Sequence, residues 1–342
     1  MAKVKINLTR RQFVGGVSAA VAMPSIVRAQ SAKSVTCVSD WIHNGPNAGF
    51  PIAIEKGFFA KEGLDVTLNQ GKGSASTAQI IASNAAQFGF SDGYVVGNSV
   101  AKGMNIKMVG AVFRKNPAAV ILLEDSPIRE PKDLIGKTIG ISTGAAQFQQ
   151  WPAFVKGAKL EMSQIRVVNV DPAGAGPALV SGKVDAIAGF AQGYVPGIEV
   201  QAKKKCRLFW YSDYGAKSVS NGIIVNQELL KEQELIRAFL RASLRGFLYG
   251  RAHPDELAQI LKKYSPSIDP EVTKRQAELS WQTWVTPNTK GKELGWMSER
   301  DWKDTVETLK NYGGVTTPLE ASQIYTNDFV PSGAEFVPPQ NA

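Results

Sequence analysis

Side chains for soft-metal and redox chemistry are scarce in this chain: two cysteines, Cys37 and Cys206, and two histidines among 342 residues. No Cys/His cluster has the spacing of a zinc site, so transition-metal chemistry has little to stand on. Neither cysteine directly follows an apolar leader, where a lipid-attachment cysteine would sit, and sequence alone does not bring the two within bonding distance. G-x-S-x-G and H-E-x-x-H are both missing. The Gly71-Lys72-Gly73-Ser74 stretch is friendly to anions but lacks the ending and spacing of a phosphate-binding loop. No cofactor is implied. Beyond the N-terminus, no apolar run approaches the roughly 20 residues a spanning helix needs.

The N-terminus is different. Lys3, Lys5, Arg10 and Arg11 precede an apolar, small-residue stretch from Phe13 to Val27, and Val27-Arg28-Ala29 forms an A-x-A-like cleavage site. That order reads as a secretory signal peptide over residues 1–29, cleaved near Ala29. Thr9-Arg10-Arg11-Gln12-Phe13 resembles the twin-arginine export address. The expected location is therefore the periplasm. The formal charge of +9 falls to about +4 without this segment, which holds five basic residues and no acids. A charge that modest points away from nucleic acid. The six basic residues between Arg237 and Lys263 read as a solvated helical face.

Short apolar runs bounded by Gly, Pro or Asp alternate with helical patterns, the mark of βαβ units around mostly parallel sheets. Expected strands are Ser34–Val38, Asp65–Asn69, Gln87–Phe90, Lys107–Val112, Ala119–Leu123, Thr138–Ile141, Arg166–Asn169, Ala186–Ala188, Arg207–Tyr211 and Gly222–Val225. Similar helix-to-strand corners, 82–90 and 180–188, stand one in each half and imply two lobes of like construction. From Asn226, an expected N-cap, the pattern turns helical: Leu235, Ile236, Phe239, Leu240, Phe247 and Leu248 share a face. Ser298 with Asp301 reads as a capping-box-like pair, and the tail 331–342 as loose.

Three motifs in order carry a family resemblance. Ala53–Val66 holds a glycine stop at Gly57, a Phe58-Phe59 turn and a second reversal at Gly63; Ile128–Gly140 and Ala178–Ala186 follow. Together they resemble the periplasmic solute-binding proteins of the nitrate/sulfonate/taurine and thiamine-pyrimidine-precursor type, over roughly residues 35–250. The resemblance implies an α/β, two-lobed type II periplasmic binding fold, each lobe a mostly parallel sheet flanked by helices, with a helical C-terminal section. Lobe one would combine 33–117 with 220–330, lobe two would span 118–219, and the crossings near 116–119 and 218–222 would form the hinge. It implies a monomer that binds a small (hetero)aromatic or anionic solute for an inner-membrane ABC permease and its ATPase. A pyrimidine synthase on the same fold, which consumes its own histidine beside a Cys-rich run, is set aside because this chain has no such run. A periplasmic sensory role on the same architecture stays open.

In open α/β sheets, ligands gather beyond the carboxyl ends of strands. Reading those loops gives the candidate binding residues: Trp41, Asn47, Phe50, Gly73, Ser74, Ser91, Asp92, Arg114, Thr143, Gly144, Asp171, Phe190, Gln192 and Tyr194. Trp41 leads, because it lies among polar neighbours rather than in an apolar run. The resembling pyrimidine binders place an Asp-Trp and a Pro-Asn here, matched by Asp40-Trp41 and Pro46-Asn47, though Ile42–Gly45 lengthens the loop. Phe190 and Tyr194 are expected to complete an aromatic sandwich, and Arg114 to pair with a carboxylate or sulfonate. Gln192 stands where those binders tend to supply a carboxylate.

Overall fold

The computed structural model describes residues 32–339. The expected export signal, and the last residues of the tail, lie outside the described residues.

Ten strands form two five-stranded sheets. The first takes β1 (Lys33–Val38), β2 (Leu64–Asn69), β3 (Phe88–Asp92), β4 (Ile106–Ala111) and β10 (Asn221–Asn226), in the order β2-β1-β3-β10-β4. The second takes β5 (Ala118–Leu123), β6 (Thr138–Ile141), β7 (Arg166–Asn169), β8 (Ala186–Phe190) and β9 (Cys206–Trp210), in the order β7-β6-β8-β5-β9. Each sheet is mixed, with one antiparallel member: β10 runs against β3 and β4, and β5 against β8 and β9. Those two strands are the ones the chain forms on arriving from the other sheet, at 112–117 and at 211–220. An extended segment entering an existing sheet from the far side pairs antiparallel, whereas the parallel neighbours β1–β2, β1–β3, β6–β7 and β6–β8 are joined through helical connections. All ten expected strands are present, two with the expected ends and the rest shifted by one or two residues.

The corners form for the reasons their sequences suggest. Asn84 and Gly182 adopt positive φ of 58° and 70° where helices stop ahead of β3 and β8. Glycine at 57 and 63 takes φ of 67° and 73°, reversing the chain on both sides of the Phe58-Phe59 turn.

The first sheet's core is aromatic. Phe50 meets Phe90 and Phe247 edge-on at 5.4 and 5.2 Å, and Phe88 stacks on Phe239 at 3.7 Å. The helix Gln233–Ala252 supplies Phe239 and Phe247 from its buried face, and burying each such ring is worth roughly 1.5–3 kcal/mol. Asn226 caps a short 3-10 turn, Gln227–Lys231, that precedes this helix, rather than the helix itself. Ser298 caps the helix Glu299–Tyr312, but Asp301 does not return to it as a capping box would: its carboxylate accepts from Thr286 and Asn288 at 2.8 and 2.6 Å.

The expectation of a loose tail needs correcting for its described part. Phe336 is buried in the first lobe's core and its carbonyl accepts from Leu294 N–H at 2.7 Å. Its apolar ring outweighs the Pro/Gly composition around it.

Candidate functional site

β1 ends at Val38, and the next residues turn out of the sheet toward the second lobe. Asp40 is almost fully buried here. One carboxylate oxygen accepts from Asn47 at 3.2 Å and the other from Asn221 at 2.6 Å. Asn47 also donates to Ile42 O at 3.3 Å, so the long Ile42–Gly45 segment is folded back onto its own root. That leaves the half-buried Trp41 projecting across the cleft.

The opposite wall comes from the end of β8 and the helix after it, Ala191–Ala202. Tyr194 lies with its ring centroid 5.0 Å from that of Trp41 at an interplanar angle of 41°. Its hydroxyl donates to Pro172 O at 3.1 Å, which fixes the ring. Gly193 makes the approach possible, since a Cβ there would stand 3.0 Å from the Trp41 ring. A second close crossing lies alongside. Gly73 has φ of 117° and faces Gly144, whose carbonyl oxygen would be 2.1 Å from a Cβ at 73. Only glycine allows the two lobes' loops to meet there.

Between these contacts is a cavity of about 50 Å³, walled by Asp40, Trp41, Gly73 and Ser74 from the first lobe and by Ala145, Ala146, Gln147, Pro172, Phe190 and Tyr194 from the second. Its lining holds aromatic faces, a hydroxyl, amide groups and one carboxylate; none of the lining residues is a lysine or arginine. Two larger hollows on the surface are lined by mixed charges of the C-terminal helices, and neither includes a residue of the Trp41 or Tyr194 walls.

Burial dominates the electrostatics. It pushes the Asp40 carboxyl up to about 6, against the pull of hydrogen bonds from Asn221 and Asn47. Asp92, wholly buried, is pushed up to about 7 by burial, with the Asp40 charge adding to the rise and Ser220 and backbone N–H groups opposing it.

Trp41, Gly73, Ser74, Phe190 and Tyr194 are thus brought together at the cavity, and Gly144 stands at its edge against Gly73. Other expected binding residues are placed elsewhere. Asn47 braces the Trp41 loop, and Phe50, 1% exposed, belongs to the aromatic core. Ser91 donates to Ser74 O at 3.1 Å behind the cavity wall. Asp92 caps the helix Gly93–Ala101 by accepting from Tyr94 and Val95 N–H. Thr143 and Asp171 are exposed; Thr143 N–H donates to Asn169, and Asp171 accepts from Ala173 N–H. Gln192 is buried beside the site without lining it. Arg114 points the other way: 2% exposed, it donates to the carbonyls of Thr289 and Glu293 at 3.4 and 2.7 Å. Burial also lowers its pKa to about 10, so the guanidinium is spent on a C-terminal turn rather than on the cleft.

Sequence reasoning passed over Gln147, Gln150, Asn116, Ser220 and Asn221. A signal was present for two of them: Asn116 and Ser220 are polar side chains on the chain crossings, whereas Gln147 and Gln150 lie on a helix and Asn221 on a strand.

The family described as NMT1/THI5 like matches residues 44–257. The chain belongs to it. Among curated relatives, it is 26% identical over 332 residues to the riboflavin-binding protein RibY of Chloroflexus aurantiacus, covering 93% of this chain and 92% of that one. It is 24% identical to the formylaminopyrimidine-binding protein of Halalkalibacterium halodurans, over 87% of this chain and 91% of the relative. A more distant relative, 22% identical over 87% of this chain and 92% of its own, is the 4-amino-5-hydroxymethyl-2-methylpyrimidine phosphate synthase of Legionella pneumophila. The fold is that of the alkanesulfonate-binding protein SsuA from Xanthomonas axonopodis pv. citri, with a TM-score of 0.68 at 14% identity over 87% of this chain and 100% of that one. The chain is a two-lobed member of the periplasmic binding protein architecture.

Proposed function

We propose that this protein is the periplasmic solute-binding component of an ATP-driven importer, and that it captures a small planar heteroaromatic solute between its lobes. The Trp41–Tyr194 approach across the cleft carries the reading. Two ring faces from opposite lobes, beside a buried carboxylate, favour a planar molecule with hydrogen-bond donors at its edge. Relatives named for riboflavin and formylaminopyrimidine support the same class. An anionic solute, the other class expected from sequence, finds no cationic side chain in the lining, and Arg114 is engaged elsewhere.

The rings are too close to admit a third between them as they stand. A stacked ring needs about 3.5–4 Å on each face, hence centroids about 7–8 Å apart. Capture therefore includes a lobe displacement, by hinge motion at the two crossings. The partners in this reading are a membrane permease and its ATPase, and residues 1–29 direct export. The cavity lining supplies surfaces that hold a ring rather than groups that transform one, which favours binding over the synthase activity of the Legionella pneumophila relative.

Thermal melting of the processed chain with a panel of riboflavin, aminopyrimidines, alkanesulfonates and nitrate tests the reading. A ligand at 100 times its Kd stabilises by about 2.7 kcal/mol, a readable shift. The heteroaromatic compounds are expected to raise Tm; a rise with sulfonate or nitrate alone contradicts the proposal.

A further inference from the structure

The second-lobe helix Ala146–Gly157 starts in the cavity wall, through Ala146 and Gln147. One turn on, Gln150 is fully buried. Its amide nitrogen donates to Asp92 Oδ1 at 3.1 Å, and its amide oxygen accepts from Asn116 Nδ2 at 2.8 Å. Asp92 ends β3 in the first lobe, and Asn116 lies in the first chain crossing. A single side chain therefore joins both lobes and the hinge.

Its partners are themselves fixed. Asn116 donates to Ala216 O, on the second crossing, at 3.1 Å and accepts from Ala118 N–H at 3.0 Å. The other Asp92 oxygen accepts from Ser220 Oγ at 2.9 Å; next to Ser220 is Asn221, which reaches Asp40. Hydrogen bonds thus run from the cavity wall of one lobe, behind the cavity, to the helix that forms the wall of the other. Most of these bonds lie within one lobe or along the crossings. The Gln150–Asp92 bond is different, because its two ends ride on different lobes and separate when the cleft opens.

We propose that Gln150 is a positioning residue for solute capture: its bond to Asp92 latches the solute-free cleft in its narrow arrangement and parts before the Trp41 and Tyr194 walls can admit a ring. This rests on the capture reading above. A neutral amide suits the place. Gln150 offers a donor to a carboxylate that otherwise accepts from Ser220 and two backbone N–H groups, while its oxygen satisfies Asn116. A glutamate there would set a third carboxylate against Asp92 and Asp40.

The test needs no solute. Spin labels on cysteines introduced at the exposed positions Lys61 and Lys183, one on each lobe, report the inter-lobe distance in a Cys206→Ser background. Gln150→Glu is expected to raise the population of the longer distance at least tenfold over the parent. Adding Asp92→Asn keeps the capping oxygen but removes the negative charge facing the new carboxylate, and is expected to bring the distribution back towards the parent, a charge-dependent rescue that a merely structural role would not produce. If Gln150→Glu does not fold, the near-isosteric Gln150→Leu replaces it and is expected to open the cleft in the same direction. An unchanged distribution in the folded single variants, or no recovery in the double variant, overturns the proposal. Because the distances are read without ligand, a failure here is separable from a failure to find any bound solute.

Discussion

Trp41 and Tyr194, 153 residues apart in sequence, meet across the cleft at 5.0 Å between ring centroids, with Gly193 clearing the space between the lobes. Neither ring is held by the other's lobe. Trp41 is set by the Asp40–Asn47 brace at its root, and Tyr194 by its bond to Pro172. Removing one therefore leaves the other in place. Trp41→Ala is expected to weaken solute affinity by about 2 kcal/mol, roughly thirtyfold in Kd, from lost ring contact and burial. Tm without solute should change little. Titration calorimetry on the variant and its parent gives the comparison.

Phe50 makes the opposite prediction. It packs against Phe90 and Phe247 and is 1% exposed, so Phe50→Ala creates a cavity in the first lobe's core. The expected loss is about 3–5 kcal/mol of stability. Solute affinity of the folded fraction should stay within about twofold, as seen by calorimetry at low temperature where the variant is folded. A large change in affinity would return Phe50 to the binding site.

The buried carboxylates give a pH dependence whose sign follows from their raised pKa values. Burial holds Asp92 up to about 7 and Asp40 up to about 6, while an unfolded aspartate titrates near about 3.9. Between about pH 4 and pH 7 the folded chain keeps protons that the unfolded chain has released. Stability from these groups is thus present in acid and declines as pH rises through that window. Asparagine at 92 still caps the helix Gly93–Ala101 and does not ionise. The Tm of Asp92→Asn relative to its parent is expected to improve by a few degrees between about pH 4.5 and pH 7.5, a stability difference of about 1–2 kcal/mol. A difference that stays flat with pH would contradict the burial of an ionising group there.

Gly73 is sensitive for geometric reasons. Its φ is 117°, and a Cβ at this position would lie 2.1 Å from the Gly144 carbonyl oxygen, so alanine has no place in the closed arrangement. Gly73→Ala is expected to cost about 1–3 kcal/mol in the narrow, solute-free arrangement, because lobe separation relieves the contact. Melting of the solute-free variant beside its parent checks it: Tm should fall.

Much of this molecule is legible in its residues. The ten strands announce themselves as short apolar runs between turn residues, and Gly57, Gly63, Asn84 and Gly182 mark reversals that sterics require. Trp41 and Tyr194 are readable for a related reason: both follow directly on the carboxyl end of a strand, Trp41 in a polar loop and Tyr194 in the first turn of a helix. Phe50 occupies an equally suggestive position, yet helical spacing turns it toward Phe239 and Phe247 on a helix nearly 200 residues later. No local pattern reveals that partner. Arg114 fails for a similar cause, because the carbonyls it satisfies lie on a turn near Thr289 and Glu293. Gln150 is the least legible of all. One glutamine of three on a helix says nothing until the fold places Asp92 and Asn116 on either side of it.

The most direct test of solute capture is a calorimetric titration of the processed protein and its Trp41→Ala variant with riboflavin, formylaminopyrimidine and an alkanesulfonate. The account predicts that a heteroaromatic compound binds the parent and loses roughly thirtyfold or more in Kd on the variant, with the sulfonate silent on both. Tight sulfonate binding that survives Trp41→Ala would contradict it.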